Sequence, residues 1–411
     1  MTYTAVAPLT TRQDRASQPR KLSSRYVPAL DGLRGVAILL VLGHHFRFIL
    51  EPSFRLERIS LWLLDGGWCG VELFFVLSGF LITGILLDSK HSPGFFRNFY
   101  TRRALRIFPL YYAYLAFVFL GLAAWWTAHF HHNPWASINP IWYILYLQNF
   151  KSPHMFYDQF LGHLWSLAIE EQFYLIWAFL VLCLNRSSLG FACVAGIASA
   201  LIARLFLAGQ GVQESFFLNT LTVASIDSLC AGALIAILMR SEPIRKRSGR
   251  WIAALAVVSA VGFALLAKTA GSLFLYNVPI HTWGLTFLSF LFACLIYWIA
   301  SQSSGVLDNL LSLPALRLVG RVSYGMYVLH PAVIGFVLPR VDPVTPGTAP
   351  WLQFLIKIGV FVLLTTATFL AALFSWLCWE KPFLRLKDKF QYRRQLVITT
   401  QPGSSFASTG D

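Results

Sequence analysis

Ionisable side chains stand inside apolar segments of this 411-residue chain, and they are the groups that could carry chemistry. Arg34 and His45 lie eleven residues apart in one such segment. In a helix this spacing is three turns plus about 20°, so both are predicted on one face, with His45 about 16 Å deeper. Asp31 is spaced to pair with Arg34. A buried imidazole at position 45 would serve proton transfer; the alternative is a histidine that only packs between helices.

A second polar stripe occurs in a later apolar segment. His163, Ser166, Glu170 and Tyr174 recur at helical i, i+3, i+7 and i+11 spacing and therefore share a face. An imidazole, a carboxylate and a phenol are costly inside a bilayer unless they have partners or a purpose. The stripe therefore favours a functional site over a packing surface.

Two other apolar segments carry weaker signals. Glu72 lies near the end of one segment and Ser78 near its middle, where Ser78-Gly79 is either a small-residue packing seam or part of a substrate path. Tyr327 and His330 line another segment. The substrate path that we assign consists of Ser78, Asp31, His163, Ser166, Tyr174, Tyr327 and His330. Glu72, like Glu170, is a candidate carboxylate for orienting His45.

Basic residues precede one apolar segment at helical spacing. Arg103 and Arg106 share a face there, beside Arg102. Guanidinium groups clustered at the start of a helix suit a phosphate-rich ligand. The alternative is that they only enforce topology and touch anionic lipid.

No metal site is expected from the histidine and cysteine pattern. His129, His131 and His132 share a short loop, and three histidines can bind zinc, but this trio lacks helical spacing and is predicted to be solvated. The six cysteines contain no Cys-x-x-Cys pair, so neither a disulfide framework nor a metal site is implied.

Composition places the chain in a bilayer. Hydrophobic residues make up 56%, charged residues 12%, and the mean hydropathy is +0.60, whereas soluble domains carry about a quarter charged residues. We therefore predict an all-α, polytopic membrane helix bundle. The net charge is +15. Because the basic residues flank apolar spans and do not form one patch, we expect no nucleic-acid partner.

About ten transmembrane helices are predicted, because a span needs ~20 apolar residues. They are 30–50, 69–88, 107–126, 164–184, 189–208, 219–239, 251–268, 283–300, 319–338 and 352–378. Residues 138–150 are apolar but short, which predicts an interfacial or re-entrant segment. Most Lys and Arg residues fall on one side if the N-terminus is cytoplasmic, so both termini are predicted there. No cleavable signal peptide is expected.

The ordered set of these segments resembles acyltransferase family 3. This family comprises membrane proteins that acylate O-antigen, peptidoglycan, exopolysaccharides, nodulation factors and macrolides. The matching segments are Leu30–Arg34 with His45, Phe74–Thr83, Arg103–Tyr111, His163–Tyr174, Ser323–His330 and Glu380–Pro382. They extend from residue 25 to about residue 385 in the family's order. One segment alone would be weak, but the ordered set is specific.

The resemblance implies a ten-helix bundle that moves an acyl group, usually acetyl from acetyl-CoA, onto a hydroxyl, commonly of a sugar. The family's essential intramembrane histidine falls on His45 and the arginine of its first motif on Arg34. The arginine pair associated with the acyl donor falls on Arg103 and Arg106, and the family's acidic residue on Glu170. Some relatives carry an additional extracytoplasmic esterase-like domain. Here only ~30 residues follow the last span, so this form is expected to complete the transfer itself or pass the acyl group to a partner.

The leading hypothesis is therefore an acyl-CoA-dependent O-acyltransferase in a bacterial inner (plasma) membrane. It comprises a cytoplasmic basic tail (1–25), a membrane acyltransferase domain (26–385) and a disordered cytoplasmic tail (386–411). Acetyl-CoA or another acyl-CoA is the co-substrate. The acceptor is an envelope polysaccharide, a lipid-linked oligosaccharide or a small glycoside. His45 acts as general base or as transient acyl carrier. The alternative is a transporter of acyl groups or lipid-linked sugars that makes no bond.

Overall fold

Long helices make up the bundle in the computed structural model, which describes residues 26–49, 55–151, 158–210, 220–271, 273, 277–301, 305–341 and 348–390. Over these residues the elements are helices and turns, without strands. The predicted tails lie outside the described residues at 1–25 and 391–411, as do the span ends at residues 50 and 219. At the end of the described residues, Lys387–Lys389 forms a helical turn, and Arg102 donates to the carbonyls of Lys387 and Phe390 at 3.1 and 3.2 Å.

The first half of the chain supplies most of the helices that carry the predicted polar residues. The helices are α1 (Pro28–Phe46), α2 (Arg55–Asp65), α3 (Cys69–Ser89), α4 (Phe95–Ala116), α5 (Ala123–Phe130), α6 (Ile141–Ile144), α7 (Trp165–Cys183) and α8 (Arg186–Gly209). A π-helical stretch, Phe117–Leu122, joins α4 to α5 without a break. Pro28 begins α1, where the missing N–H of proline costs no hydrogen bond.

The second half continues the bundle with α9 (Thr222–Leu238), α10 (Glu242–Ala270), α11 (Leu285–Ser301), α12 (Val306–Leu311), α13 (Pro314–Val337), α14 (Pro350–Ser375) and α15 (Lys381–Leu386). Among the described residues, nine helical stretches are long and apolar enough to cross a membrane. The tenth predicted span is the apolar α9, which has only 17 residues. The predicted all-α polytopic bundle is thereby confirmed.

Close helix contacts bring the polar residues together. Helix α1 packs against α13 and α3, and α3 packs against α9. A Cβ atom added to Gly320 of α13 would lie 1.8 Å from the carbonyl oxygen of Asp31, so only glycine permits this approach. A Cβ atom on Gly79 would lie 1.9 Å from the carbonyl oxygen of Leu229. Gly79 is therefore the packing seam predicted for Ser78-Gly79, and the adjacent Ser78 is free to face another way.

The short apolar segment at 138–150 does not form a span. It contains only α6 and the turn Gln148–Phe150. Its carbonyl groups accept hydrogen bonds from side chains of the long helices: Tyr111 to Tyr143 at 2.8 Å and Gln172 to Tyr146 at 2.7 Å. Irregular backbone at membrane depth needs such internal partners. The segment thus folds back into the bundle between α4 and α7.

Candidate active site

Three arginines from two helices converge on an internal cavity of about 100 Å³. Arg34 reaches it from α1, and Arg103 and Arg106 reach it from α4. Arg34 pairs with Asp31 at 3.4 Å, as the spacing predicted. The guanidinium of Arg103 lies 5.5 Å from the ring centroid of Tyr174. Three neighbouring cations repel one another unless an anion lies between them, so this wall of the cavity is suited to phosphate groups.

The opposite wall is a hydrogen-bonded set from α3 and α7. The phenol of Tyr174 donates to Glu170 Oε2 at 3.0 Å, and the hydroxyl of Ser78 is hydrogen-bonded to the same phenol. Since the phenol has one proton and gives it to Glu170, the Ser78 hydroxyl is the donor to Tyr174. The chain of bonds fixes the direction of all three groups and directs the carboxylate towards the cavity that they line.

The far end of the cavity is closed by Ser166 of α7 and Tyr327 of α13. Their hydroxyl oxygens are 2.5 Å apart, and the Tyr327 phenol also donates to the carbonyl oxygen of His163 at 2.7 Å. Both side chains line the cavity. They therefore form the boundary between the arginine-lined space and the residues that lie behind them.

A cluster of three imidazoles lies behind this boundary. The ring centroid of His330 is 4.7 Å from that of His45 and 5.1 Å from that of His163. The rings come from the last turn of α1, from α13 and from the turn that precedes α7. The Tyr327 ring lies 5.5 Å from His163 and 5.8 Å from His330. We call His45, His163 and His330 the histidine cluster.

The two ends of the site are held by one rigid element. Arg34 and His45 belong to the uninterrupted helix α1, which places them about 16 Å apart along its axis. Arg34 lines the cavity together with Ser166 and Tyr327, and the Tyr327 ring adjoins the histidine cluster to which His45 belongs. The predicted residues Arg34, Ser78, Arg103, Arg106, Ser166, Glu170, Tyr174 and Tyr327 all line the one cavity.

Glu72 lies elsewhere. The Ser228 hydroxyl of α9 donates to its carboxylate, and Ser228 also lies 2.6 Å from the Ser289 hydroxyl. Over the described chain, neither Glu72 nor Glu170 is hydrogen-bonded to His45. The imidazole is instead oriented by a backbone group, because its Nδ1 lies 2.8 Å from the carbonyl oxygen of Val41. The carboxylate partner expected for His45 is thus replaced by a peptide carbonyl one turn earlier in α1.

The histidine trio of the loop is placed at the end of α5. His129 contacts the Trp125 carbonyl at 2.8 Å, and the three side chains are exposed. A search of the described ranges finds no group of three His, Cys, Asp or Glu side chains arranged to hold a metal ion.

A larger groove of about 920 Å³ lies beside the polar cavity, and we do not assign it to the active site. Helix α4, the folded-back segment, α7 and the C-terminal aromatic residues Trp379 and Phe383 line it. It shares only Arg103 and Tyr174 with the polar cavity. Its lining is predominantly aromatic and aliphatic, which is typical of a surface that lipid chains cover.

Comparison with known proteins decides the family. A family described as an acyltransferase domain matches residues 27–379, a range that includes every residue of the cavity and of the histidine cluster. The chain belongs to acyltransferase family 3. The resemblance of its motifs is therefore confirmed, and the chain is a multi-pass integral membrane protein of this family.

The chain is similar to several O-acetyltransferases. Peptidoglycan O-acetyltransferase OatA of Listeria monocytogenes is 29% identical, over 94% of this chain and 61% of its own length. The putative peptidoglycan O-acetyltransferase YrhL of Bacillus subtilis is 32% identical, over 77% and 50%. O-acetyltransferase OatA of a Staphylococcus aureus strain is 26% identical, over 92% and 62%. The chain spans between half and two thirds of these relatives, and no solved structure matches it.

One buried polar network of this family member was not anticipated from its sequence. Arg204 of α8 donates to Asp227 of α9 at 2.6 Å and to Thr286 of α11 at 2.6 Å, and the pair is inaccessible to solvent. The sequence does contain a signal for this network, because Arg204 and Asp227 are each an isolated charge inside a predicted span. The pair and Thr286 join three helices, and the pair lies outside the cavity lining, so we assign it to helix packing and not to the site.

Proposed function

We propose that this protein transfers an acetyl or similarly short acyl group from acyl-CoA to a hydroxyl of a cell-envelope glycan. The observation that carries the proposal is the arrangement beside α1: an arginine-lined cavity near one end is separated only by Ser166 and Tyr327 from the histidine cluster at the other. Acyl transfer from acyl-CoA to an alcohol uses a binding site for the phosphates of the donor and an acceptor for the proton of the alcohol.

The donor end of the cavity is suited to the phosphates of acyl-CoA. Guanidinium groups bind phosphate through several charge-assisted hydrogen bonds and keep their charge when buried. Arg106 makes no hydrogen bond or ion pair within the described part of the chain, so its donors remain for a ligand. The positive charge also attracts an anionic donor from solution. In this proposal Arg34, Arg103 and Arg106 hold the nucleotide part while the thioester extends towards His45.

The middle of the cavity is suited to a small acyl group. Apolar side chains including Phe74 and Leu167 line it beside the Ser78–Tyr174–Glu170 set. Exclusion of water by these apolar walls would protect the thioester from hydrolysis while the polar set orients its carbonyl group.

His45 has the atom needed for the chemistry. Its Nδ1 contacts the Val41 carbonyl, which cannot donate, so in the neutral ring Nδ1 carries the proton and Nε2 the lone pair. Nε2 would either remove the proton of the acceptor hydroxyl or attack the thioester and carry the acyl group. Both roles remain open within the proposal, because they use the same lone pair.

A sugar hydroxyl on the envelope side is the proposed acceptor. Named relatives are peptidoglycan O-acetyltransferases, which supports a glycan of the bacterial envelope. With the N-terminus in the cytoplasm, as the basic residues predict, His45 in the last turn of α1 faces the opposite side. A small glycoside, or a partner protein that receives the acyl group, is the alternative acceptor.

The proposal is tested with the purified protein in lipid nanodiscs, radiolabelled acetyl-CoA and a set of envelope glycan fragments. We expect labelled ester, and a loss of roughly 10²- to 10⁴-fold in His45→Asn, because this is the contribution typical of a general base. Asparagine keeps a donor for Val41 and removes Nε2. Exposed His129→Asn is the control and should behave as wild type. A protein that neither transfers nor hydrolyses the label would instead favour the transporter.

A further inference from the structure

His330 has the same chemistry as His45 and lies against it. Its Nδ1 is 2.7 Å from the carbonyl oxygen of Tyr327, one helical turn earlier in α13. Since a carbonyl oxygen only accepts, Nδ1 is the donor and the neutral ring has its lone pair on Nε2. The two histidines of the cluster are therefore held as the same tautomer, each by a carbonyl of its own helix.

The Nε2 atom of His330 is buried without a partner. The side chain is fully inaccessible to solvent, and no described protein group is hydrogen-bonded to this nitrogen. Both ring nitrogens of His163, the third member of the cluster, lack a partner among the described residues in the same way. Buried polar atoms are normally satisfied, so a cluster with three unsatisfied nitrogens is a place where another polar group is expected.

The surroundings of His330 contain few other ionisable groups. The groups that face it are His45 from α1, His163 from the turn before α7, and Tyr327 on its own helix. Arg47, just beyond α1, is directed to Asp65 at 2.9 Å. Within the described residues no carboxylate is hydrogen-bonded to the cluster. A proton released there has imidazole lone pairs as its nearest acceptors.

We infer that Nε2 of His330 is a second proton acceptor in the transfer step. This inference rests on the proposed function and deepens it. If His45 is the general base, the acceptor O–H bond breaks, the C–O bond forms, the thioester C–S bond breaks, and the proton taken by His45 is shared with His330. The proton then passes to the departing sulfur, so the products are the ester and the thiol of CoA.

The same atom acts if His45 is an acyl carrier. Nε2 of His45 attacks the thioester, CoA leaves as the thiolate, and the acyl group occupies the only basic atom of His45. The acceptor hydroxyl then attacks the acyl-imidazolium, its proton goes to Nε2 of His330, and the C–N bond breaks to return neutral His45. His330 returns that proton to the thiolate or to solvent. The carrier route needs a second lone pair beside His45, and in the base route such a lone pair shares the proton; His330 supplies it in both.

His330→Asn is the decisive variant, because the asparagine amide keeps a donor for the Tyr327 carbonyl and lacks the Nε2 lone pair. We expect kcat for transfer to fall roughly 10²-fold or more, within the range for loss of a proton-transfer group, while KM for acetyl-CoA stays unchanged. His330→Gln, which keeps an amide near the Nε2 position and loses the Tyr327 contact, should not restore the rate.

The matched control is His281→Asn. His281 is another fully buried histidine with two unpartnered ring nitrogens among the described residues, but it lies at the start of the helix that packs on α9. It should keep wild-type transfer. Transfer by His330→Asn within twofold of wild type would overturn the inference. Failure of the wild-type protein to transfer, or full transfer by His45→Asn, would instead overturn the proposed function, so the two failures are distinguishable.

The variant also separates the two routes. In the carrier route, His330→Asn stops after the first step, so labelled protein accumulates and the label maps to His45. In the base route no label is retained. Both results require the loss of kcat, and an unlabelled protein with undiminished kcat contradicts the role of His330 in either route.

Discussion

Replacement of Arg106 by Gln tests the donor end of the cavity. Arg106 lines the cavity from α4 and has no hydrogen bond or ion pair within the described part of the chain, so the substitution breaks no internal contact of that kind. A hydrogen bond to a charged group contributes about 1.5–3 kcal/mol. At a factor of ten for every 1.4 kcal/mol, KM for acetyl-CoA should rise roughly 10- to 150-fold.

The assay compares two donors. Steady-state transfer is measured with acetyl-CoA and with acetyl-pantetheine, which presents the same thioester without phosphates. Arg106→Gln should lose kcat/KM for acetyl-CoA and keep that for acetyl-pantetheine. Arg97→Gln is the control, since Arg97 lies on the same helix but is exposed and outside the cavity lining. Equal losses with both donors would show that Arg106 does not bind phosphate and would refute the reasoning.

Three further substitutions address the boundary, the buried ion pair and the helix seam. Tyr327→Phe removes one hydroxyl between the cavity and the histidine cluster, so kcat should fall about tenfold with KM unchanged; unaltered kinetics would contradict this. Asp227→Leu leaves the Arg204 charge buried and unpaired and should cost about 3–5 kcal/mol of unfolding free energy, whereas the double variant with Arg204→Met should regain most of it. Thermal unfolding in detergent measures both, and equal losses would exclude an ion-pair effect. Gly320→Ala should lower the same unfolding temperature, because its Cβ meets a carbonyl at 1.8 Å, while Gly359→Ala, with nothing within 4 Å, should not.

Features that depend on spacing within one helix were predictable from the sequence. The shared face of Ser166, Glu170 and Tyr174 follows from the 3.6-residue repeat, and the three do line one cavity. The pairing of Asp31 with Arg34 is equally local. These predictions need only the geometry of a single helix, which the bilayer imposes on an apolar segment.

Features that depend on how helices meet were not predictable. His45 and His330 are 285 residues apart in sequence, and nothing in either segment specifies that α1 packs on α13. The same limit explains Glu72, whose spacing relative to Ser78 is local but whose partner, Ser228, lies on α9. Helix packing is determined by close contacts such as that of Gly320, which a single sequence does not assign to a partner.

The folded-back segment shows a third limit. Its length excluded a span, but its position between α4 and α7 depends on hydroxyl and amide donors of those helices that reach its carbonyl groups. Tyr111 and Gln172 looked like ordinary residues of apolar helices. Only the structure identifies them as the donors that satisfy this backbone.

The most direct test of the account uses sealed vesicles that contain the protein in one orientation. Labelled acetyl-CoA is supplied only on the side of the arginine-lined cavity, and a glycan acceptor only on the side of the histidine cluster. We predict labelled ester in the acceptor compartment with wild-type protein and with His281→Asn, and none with His45→Asn. Ester formed only when donor and acceptor share one compartment, or equally by His45→Asn, would contradict it.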